Sequence, residues 1–482
     1  MNNLRHSILY GIVWQYSQRV LVQGVHFLVS LILARLLEPK DFGVIALIGV
    51  FITIANLFID SGFGNALIQK KEVNQLDYSS IFYTNVGVSL LLYFCLFLSA
   101  PFVASFYEIP IVKIVLRVQA IILILMSLSC VQNAILVKKM DFKKNFIINL
   151  IAVFVSSIVG IVMAYNHMGI WSLVFSQLSL NIITTILLWY IVRWRPSMAF
   201  SLARVKLMFG YSSRILLGSI TNVLYNNIFN IIIGKQYTIE LLGFYNRGAL
   251  IPTIVVDNAA NTLNQVLFPA LSKIQDDRET IRRIVKRMLS IVMYLVLFLM
   301  SILFIYARPL TILFFSEKWL PMIPFMRIVC ITVLFYPMIL INTSMLTAIG
   351  RSDLYFKSTL LGKVISIFIV LVSIKFGVYY MVASAILGTI ISTSIISYWS
   401  NKFIHYSLKE QFTDIMPILM VTIISAIVSS LLFLFNFSNN LVLLFIGLIF
   451  YTAIYILFSY ILKVEPYIYI STYLKEKIVY KL

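Results

Sequence analysis

Ser79–Val103 reads SSIFYTNVGVSLLLYFCLFLSAPFV, twenty-five residues without one charged side chain. As a helix rising 1.5 Å per residue it is about 37 Å long, more than the roughly 30 Å of a bilayer's hydrocarbon core. Its apolar residues are continuous rather than alternating, which predicts a spanning helix and not a barrel strand.

The same signature recurs at 9–35, 43–63, 112–136, 145–165, 169–192, 207–234, 242–268, 286–307, 321–347, 354–375, 378–400, 415–436 and 440–462, for fourteen candidate spans. The loops between them are short, and the longest, 193–206 and 270–285, are too short for a folded domain. With 61% hydrophobic and 12% charged residues and a mean hydropathy of +0.96, the 482-residue chain reads as an all-α polytopic membrane protein. The segment after His6 is too long and polar for a cleavable signal and reads as a retained first helix.

A net charge of +20 could point to nucleic acid, but its distribution excludes that. With a cytoplasmic N-terminus, twenty-five lysines and arginines fall in cytoplasmic segments, seven outside and six within spans. That asymmetry is the positive-inside pattern, with both termini cytoplasmic. Cys95, Cys130 and Cys330 lie in apolar runs without metal-ligand spacing and read as packing residues.

An internal repeat organises the spans. Leu33-Ala34-Arg35 through Phe42-Gly43 precedes Ile233-Gly234-Lys235 through Leu242-Gly243 by 200 residues. Ala100-Pro101 with Phe106-Tyr107 recurs as Arg308-Pro309 with Phe314-Phe315, and Gly169-Ile170-Trp171 as Gly377-Val378-Tyr379, both offset by 208. Six spans separate the copies, so they are parallel repeats about an axis along the membrane normal. The expected domains are 1–200 (spans 1–6), 201–405 (spans 7–12), and 406–482, comprising two further helices and an amphipathic tail.

Eight charged residues lie inside these spans: Arg19, Asp60, Arg117, Arg214, Arg247, Asp257, Arg327 and Lys363. Each costs roughly 2.5–3.5 kcal/mol at a helix centre, so six cations facing lipid would cost on the order of 15–20 kcal/mol gross. Most are therefore expected to face a shared polar interior with an excess of positive charge, suited to an anion. Arg19, Arg214 and Lys363 lie toward the cytoplasmic ends of their spans, and Arg117, Arg247 and Arg327 toward the outer ends. Gln18 and Gln23 accompany Arg19 on span 1, and Asn222 and Asn226 follow Arg214 on span 7. Such amides either contact a ligand or join helices by hydrogen bonds. Asp60 and Asp257 either couple transport to protons or sodium or balance charge. Guanidinium forks match phosphate oxygens, which makes a phosphorylated headgroup the expected ligand.

The stretch Leu33-Ala34-Arg35-Leu36-Leu37-Glu38-Pro39-Lys40-Asp41-Phe42-Gly43, with Asp60-Ser61-Gly62-Phe63-Gly64-Asn65-Ala66-Leu67-Ile68-Gln69-Lys70-Lys71, resembles the Wzx-type polysaccharide flippases. These belong to the superfamily of multidrug, oligosaccharidyl-lipid and polysaccharide exporters. The likeness is sharpest over residues 9–145. It implies two six-helix lobes around a V-shaped cavity in a bacterial inner membrane. The implied substrate is an undecaprenyl-diphosphate-linked oligosaccharide, moved from the cytoplasmic to the outer leaflet for capsule, O-antigen or exopolysaccharide. A groove at the last two spans would hold the lipid tail.

Other chemistry finds little support. There is no Walker A sequence, no histidine/carboxylate cluster for a metal and no nucleophile elbow, so neither an enzyme nor a cofactor is expected. A cation antiporter on the same fold would call for an acidic cavity, and a glycan polymerase or ligase for a large outer loop. Trp189, Trp194 and Trp319 read as interfacial anchors, while Trp14 and Tyr16 are candidates for sugar contact. Asp276 through Met288 reads as an amphipathic helix on the cytoplasmic surface, and Tyr467–Leu482 as another.

Overall fold

The computed structural model describes residues 21–59, 64, 67, 68, 70, 72–435 and 439–479. Side chains at 207–215, 217, 260–262, 264–266 and 473–479 are outside that description. Among the described residues, twelve helices are long and apolar enough to cross a membrane. The first expected span is described as α1 (Leu21–Leu36). The seventh is divided into α8 (Leu202–Asn226) and α9 (Ile228–Gln236). The division falls at Asn227, whose amide donates to the Val223 carbonyl at 2.9 Å and accepts from Asn230 at 3.1 Å. Such local side-chain bonds compete with the helical ladder.

The chain forms two compact units, 1–243 and 244–482. In the first, α2 (Pro39–Ile59), α3 (Gln75–Tyr107), α4 (Ile111–Gln119), α5 (Ile121–Lys138), α6 (Phe142–Tyr165) and α7 (Ile170–Val192) follow α1. Helices α8 and α9 pack onto α2 and belong to this unit as well, so the packing boundary lies beyond the repeat boundary expected at 200. The lipid-facing side of α3 carries exposed Leu91, Phe94, Leu98 and Phe102. Its start is closed by a capping box between Asn74 and Asp77.

Helix α10 (Ile239–Ser272) leads into the second unit, which continues with α11 (Arg278–Ile305), α12 (Ala307–Phe314), α13 (Ile323–Val333) and α14 (Tyr336–Ala348). Then come α15 (Ser352–Ser373), α16 (Val378–Ile404), α17 (Leu408–Ser430), α18 (Asn440–Ile461) and α19 (Glu465–Val479). The segment Asp276–Met288 is not a separate surface helix. Asp277 caps α11, and the Thr280 hydroxyl and amide hold its carboxyl below the usual carboxylate range. Ile281 and Val285 are fully buried with Ile415, Ile418 and Met345, so the apolar stripe packs on protein rather than lipid.

The repeat matches have structural causes. Gly169 (φ +54°) and Gly377 (φ +102°) each precede a spanning helix, α7 and α16, with a backbone conformation that side chains disfavour. Gly160 packs on Ser176 between α6 and α7, as Gly362 packs on Ser392 between α15 and α16. Small residues admit close helix approach where lipid supplies no hydrophobic drive.

Helices α17 and α18 are integral to the second unit. Tyr451 and Tyr455 of α18 are buried in the same core as Leu289 and Met293 of α11. The Tyr294 hydroxyl bonds Ser459 at 3.0 Å, the Tyr455 hydroxyl donates to the Tyr294 carbonyl at 3.0 Å, and Ser301 bonds Tyr451. Tyr306 bonds Ser429 at 2.5 Å, and a Cβ at Gly447 would fall 2.5 Å from the Tyr306 ring. Replacing Gly447 with alanine is therefore expected to destabilise the protein by about 1–3 kcal/mol, the usual cost of overpacking. Thermal unfolding in detergent checks this; an unchanged midpoint would mean that α18 is not seated on Tyr306.

Candidate functional site

Several expected site residues fall on parts of the chain that are not described. Gln18, Arg19 and Asp60 lie outside the described residues, as do Trp14 and Tyr16, and so does the side chain of Arg214. The other expected polar positions on spans 1 and 7 are accessible. Gln23 and His26, one turn apart on α1, are exposed, as are Asn222 and Asn226 one turn apart on α8. In the second unit Asp257 is exposed on α10 and acts electrostatically on the Tyr336 hydroxyl at the start of α14. Arg247 on α10 and Lys363 on α15 are half-buried.

Arg117 and Arg327 have an arrangement that charge counting did not anticipate. Arg117 donates from Nε to the Phe97 carbonyl at 3.2 Å, with its Cζ 4.1 Å from the centre of the Phe97 ring. Arg327 donates from Nε to the Phe304 carbonyl at 3.2 Å, with Cζ 5.3 Å from that ring. The two are repeat mates, and each is held within its own unit. A cation on an aromatic face gains roughly 0.5–2 kcal/mol, and a carbonyl acceptor satisfies one donor without an acid. These contacts offset part of the desolvation cost that suggested a shared interior for all six cations. Each arginine precedes an interruption of its helix, at Ala120 between α4 and α5 and at 334–335 between α13 and α14. Interrupted helices in corresponding spans of two repeats are a mark of transporter binding regions.

A polar cavity at the expected cytoplasmic end was missed. It measures about 590 Å³ and is lined by Lys70, Glu72, Val73, Asn74, Asp77 and Arg204. Asp77 is 1% exposed, with Lys70 Nζ at 2.6 Å and Arg204 Nη1 at 3.6 Å. Lys138 reaches the carbonyls of Leu67 and Lys70. The Asn74-x-x-Asp77 spacing marks the helix start, two residues before the apolar stretch that begins at Ser79.

The tryptophans divide. Trp189 donates to the Leu128 carbonyl at 2.9 Å, and Trp194 donates to Gln75 at 2.7 Å. Trp319 is not an interfacial anchor: it is fully buried, edge-on to Phe244 at 5.8 Å.

The family model described as polysaccharide biosynthesis protein matches residues 32–324, more than half of the chain. The chain belongs to that family. It is 25% identical over 357 residues to the lipopolysaccharide biosynthesis protein WzxC of Escherichia coli (strain K12), covering 74% of this chain and 73% of that protein. It is also 25% identical over 362 residues to the teichuronic acid biosynthesis protein TuaB of Bacillus subtilis (strain 168), covering 74% of each. Its fold is similar to a solved structure of the lipid II flippase MurJ in an inward closed conformation. That match has a TM-score of 0.71 at 14% identity, covering 94% of this chain and 98% of that one.

Proposed function

We propose that this chain flips a lipid-linked, diphosphate-bearing oligosaccharide from the cytoplasmic to the outer leaflet of a bacterial inner membrane by alternating access. The observation that carries the reading is polar and ionic side chains left accessible on helices of the bundle: Asp257 in the spanning part of α10, Asn222 and Asn226 at the end of the 25-residue α8, and Gln23 and His26 on α1. Accessible amides there are expensive in lipid and useful to a sugar headgroup. With six cations against two carboxylates in the spans, the phosphates have partners and a cationic drug does not. The relatives' names, lipopolysaccharide and teichuronic acid biosynthesis, and the MurJ-like fold support the same substrate class.

Arg19, Arg214 and Lys363 would receive the diphosphate from the cytoplasmic side. Arg247 would face it farther out, with Gln18, Gln23, Asn222 and Asn226 contacting sugars. Arg117 and Arg327 keep donors free for the outgoing headgroup while clamped to Phe97 and Phe304. Asp60 and Asp257 serve charge balance, with coupling to protons or sodium as the alternative. The test is reconstitution of the protein into vesicles holding a fluorescent polyprenyl-diphosphate glycan, with a membrane-impermeant reductant added outside. Protein-dependent bleaching of the inner-leaflet pool is expected. Bleaching that stops at half, as in protein-free vesicles, would reject the proposal.

A further inference from the structure

Beside Arg327 lies an apolar slot of about 220 Å³, walled by Leu297, Met300 and Phe304 of α11, Ile331 and Leu334 at the end of α13, and Ala426 of α17. Its two hydroxyls are already bonded within the protein. Ser301 donates to the Phe298 carbonyl at 2.9 Å and bonds Tyr451, and Thr422 donates to the Ile418 carbonyl at 2.8 Å. The slot therefore offers only apolar contact to whatever fills it. Its Phe304 wall carries the Arg327 guanidinium, which is exposed and, among the described residues, has no carboxylate within ion-pair distance. One of its five N–H donors is engaged by the Phe304 carbonyl, leaving the terminal fork.

We propose that the slot and Arg327 form a docking site for the diphosphate and leading chain segment of a polyprenyl lipid on its outer-leaflet side. This rests on the transport reading for its orientation. The site is apolar along one wall and cationic at its rim, which is the charge pattern of an anionic lipid just below the interface. Its volume is smaller than the 300 Å³ or more of a pocket that encloses a whole ligand, so it takes part of one chain and leaves the headgroup outside. That favours a single-chain lipid with a highly charged head over a two-chain phospholipid. The other repeat supplies the contrast. Arg117 on Phe97 makes the same clamp, but the third wall of the slot comes from α17, which follows both repeats in the chain. The clamp is shared by both repeats, and the α17 wall belongs to neither.

The test uses the full chain in nanodiscs of neutral phosphatidylcholine and a polyprenyl diphosphate with a photoactivatable diazirine on its first isoprene units. Crosslinks are mapped by mass spectrometry. Labelling of 297–304 and 330–334 is expected, reduced at least tenfold by Arg327→Gln. Ala426→Phe, which fills the slot and leaves the guanidinium, should reduce it equally, and Arg117→Gln should not. Undiminished labelling in both variants would overturn the proposal, as would equal labelling by a diazirine phosphatidylglycerol, which would make the occupant bulk anionic lipid. Vesicle transport is read separately. Wild-type transport without Arg327-dependent labelling rejects the slot alone; labelling without transport rejects the flippase reading and leaves the slot.

Discussion

Replacing Gly43 or Gly243 with valine is expected to abolish surface glycan while leaving the protein inserted in the membrane. A Cβ built on Gly43 would lie 1.9 Å from the Ile239 carbonyl oxygen, and one on Gly243 would lie 2.0 Å from the Pro39 carbonyl oxygen. Pro39 and Ile239 are themselves repeat mates at the 200-residue offset, so the two copies of the motif pack on each other reciprocally. Both obstacles are backbone, which no rotamer change can move aside. Overpacking against side chains costs about 1–3 kcal/mol, and here two helix starts must separate instead. Around the crossing, Gly234 lies against Leu47 and Tyr107, and Lys235 donates to the Phe106 carbonyl at 2.6 Å and pairs with Glu108 at 3.2 Å. A few kcal/mol against one arrangement shifts a two-state equilibrium by roughly a hundredfold, so a cycle that must revisit this arrangement stalls. Surface glycan staining, with membrane-fraction immunoblots to confirm insertion, decides the matter. Wild-type glycan in both valine variants would mean that the crossing is not visited during the cycle.

That glycine pair shows what kind of information the sequence holds. The repeat at 33–43 and 233–243 was legible because similar residues, ending in an identical glycine, recur at a fixed distance. Its reason, a backbone crossing with no room for a methyl group, is a three-dimensional fact. Gly169 and Gly377 were legible in the same way and proved to be positive-φ helix starts. The spanning helices could be read because apolar length is a one-dimensional property. Partners are not. Arg117 and Arg327 find an aromatic ring and a carbonyl twenty or more residues earlier, and no count of carboxylates could have found them. Asp276–Met288 was misplaced because an apolar stripe has the same period whether it lies on lipid or on Ile415 and Ile418. Trp319 was misplaced because position near a span end does not report burial.

The second large effect is expected at Arg214 and Arg19, where alanine should abolish glycan export in a protein that still inserts and unfolds at the wild-type temperature. In chain order Arg214 falls seven and eight residues before Thr221 and Asn222, and Arg19 four residues before Gln23, both leading to positions that are accessible. Each guanidinium can give a diphosphate two parallel charge-assisted hydrogen bonds, worth about 1.5–3 kcal/mol apiece. Losing the pair at one residue costs roughly 3 kcal/mol or more, over a hundredfold in affinity. Lysine at the same position keeps the charge and loses the fork, so Arg214→Lys should retain part of the export that Arg214→Ala loses. This ordering of arginine, lysine and alanine separates phosphate recognition from simple charge compensation, in which lysine would equal arginine. It also separates it from helix packing, in which lysine and alanine would both lower the unfolding temperature. Full export by the alanine variants of both residues would remove the cationic path from the mechanism. The apolar slot at Arg327, which does not depend on either residue, would then stand as an independent candidate for the lipid phosphate.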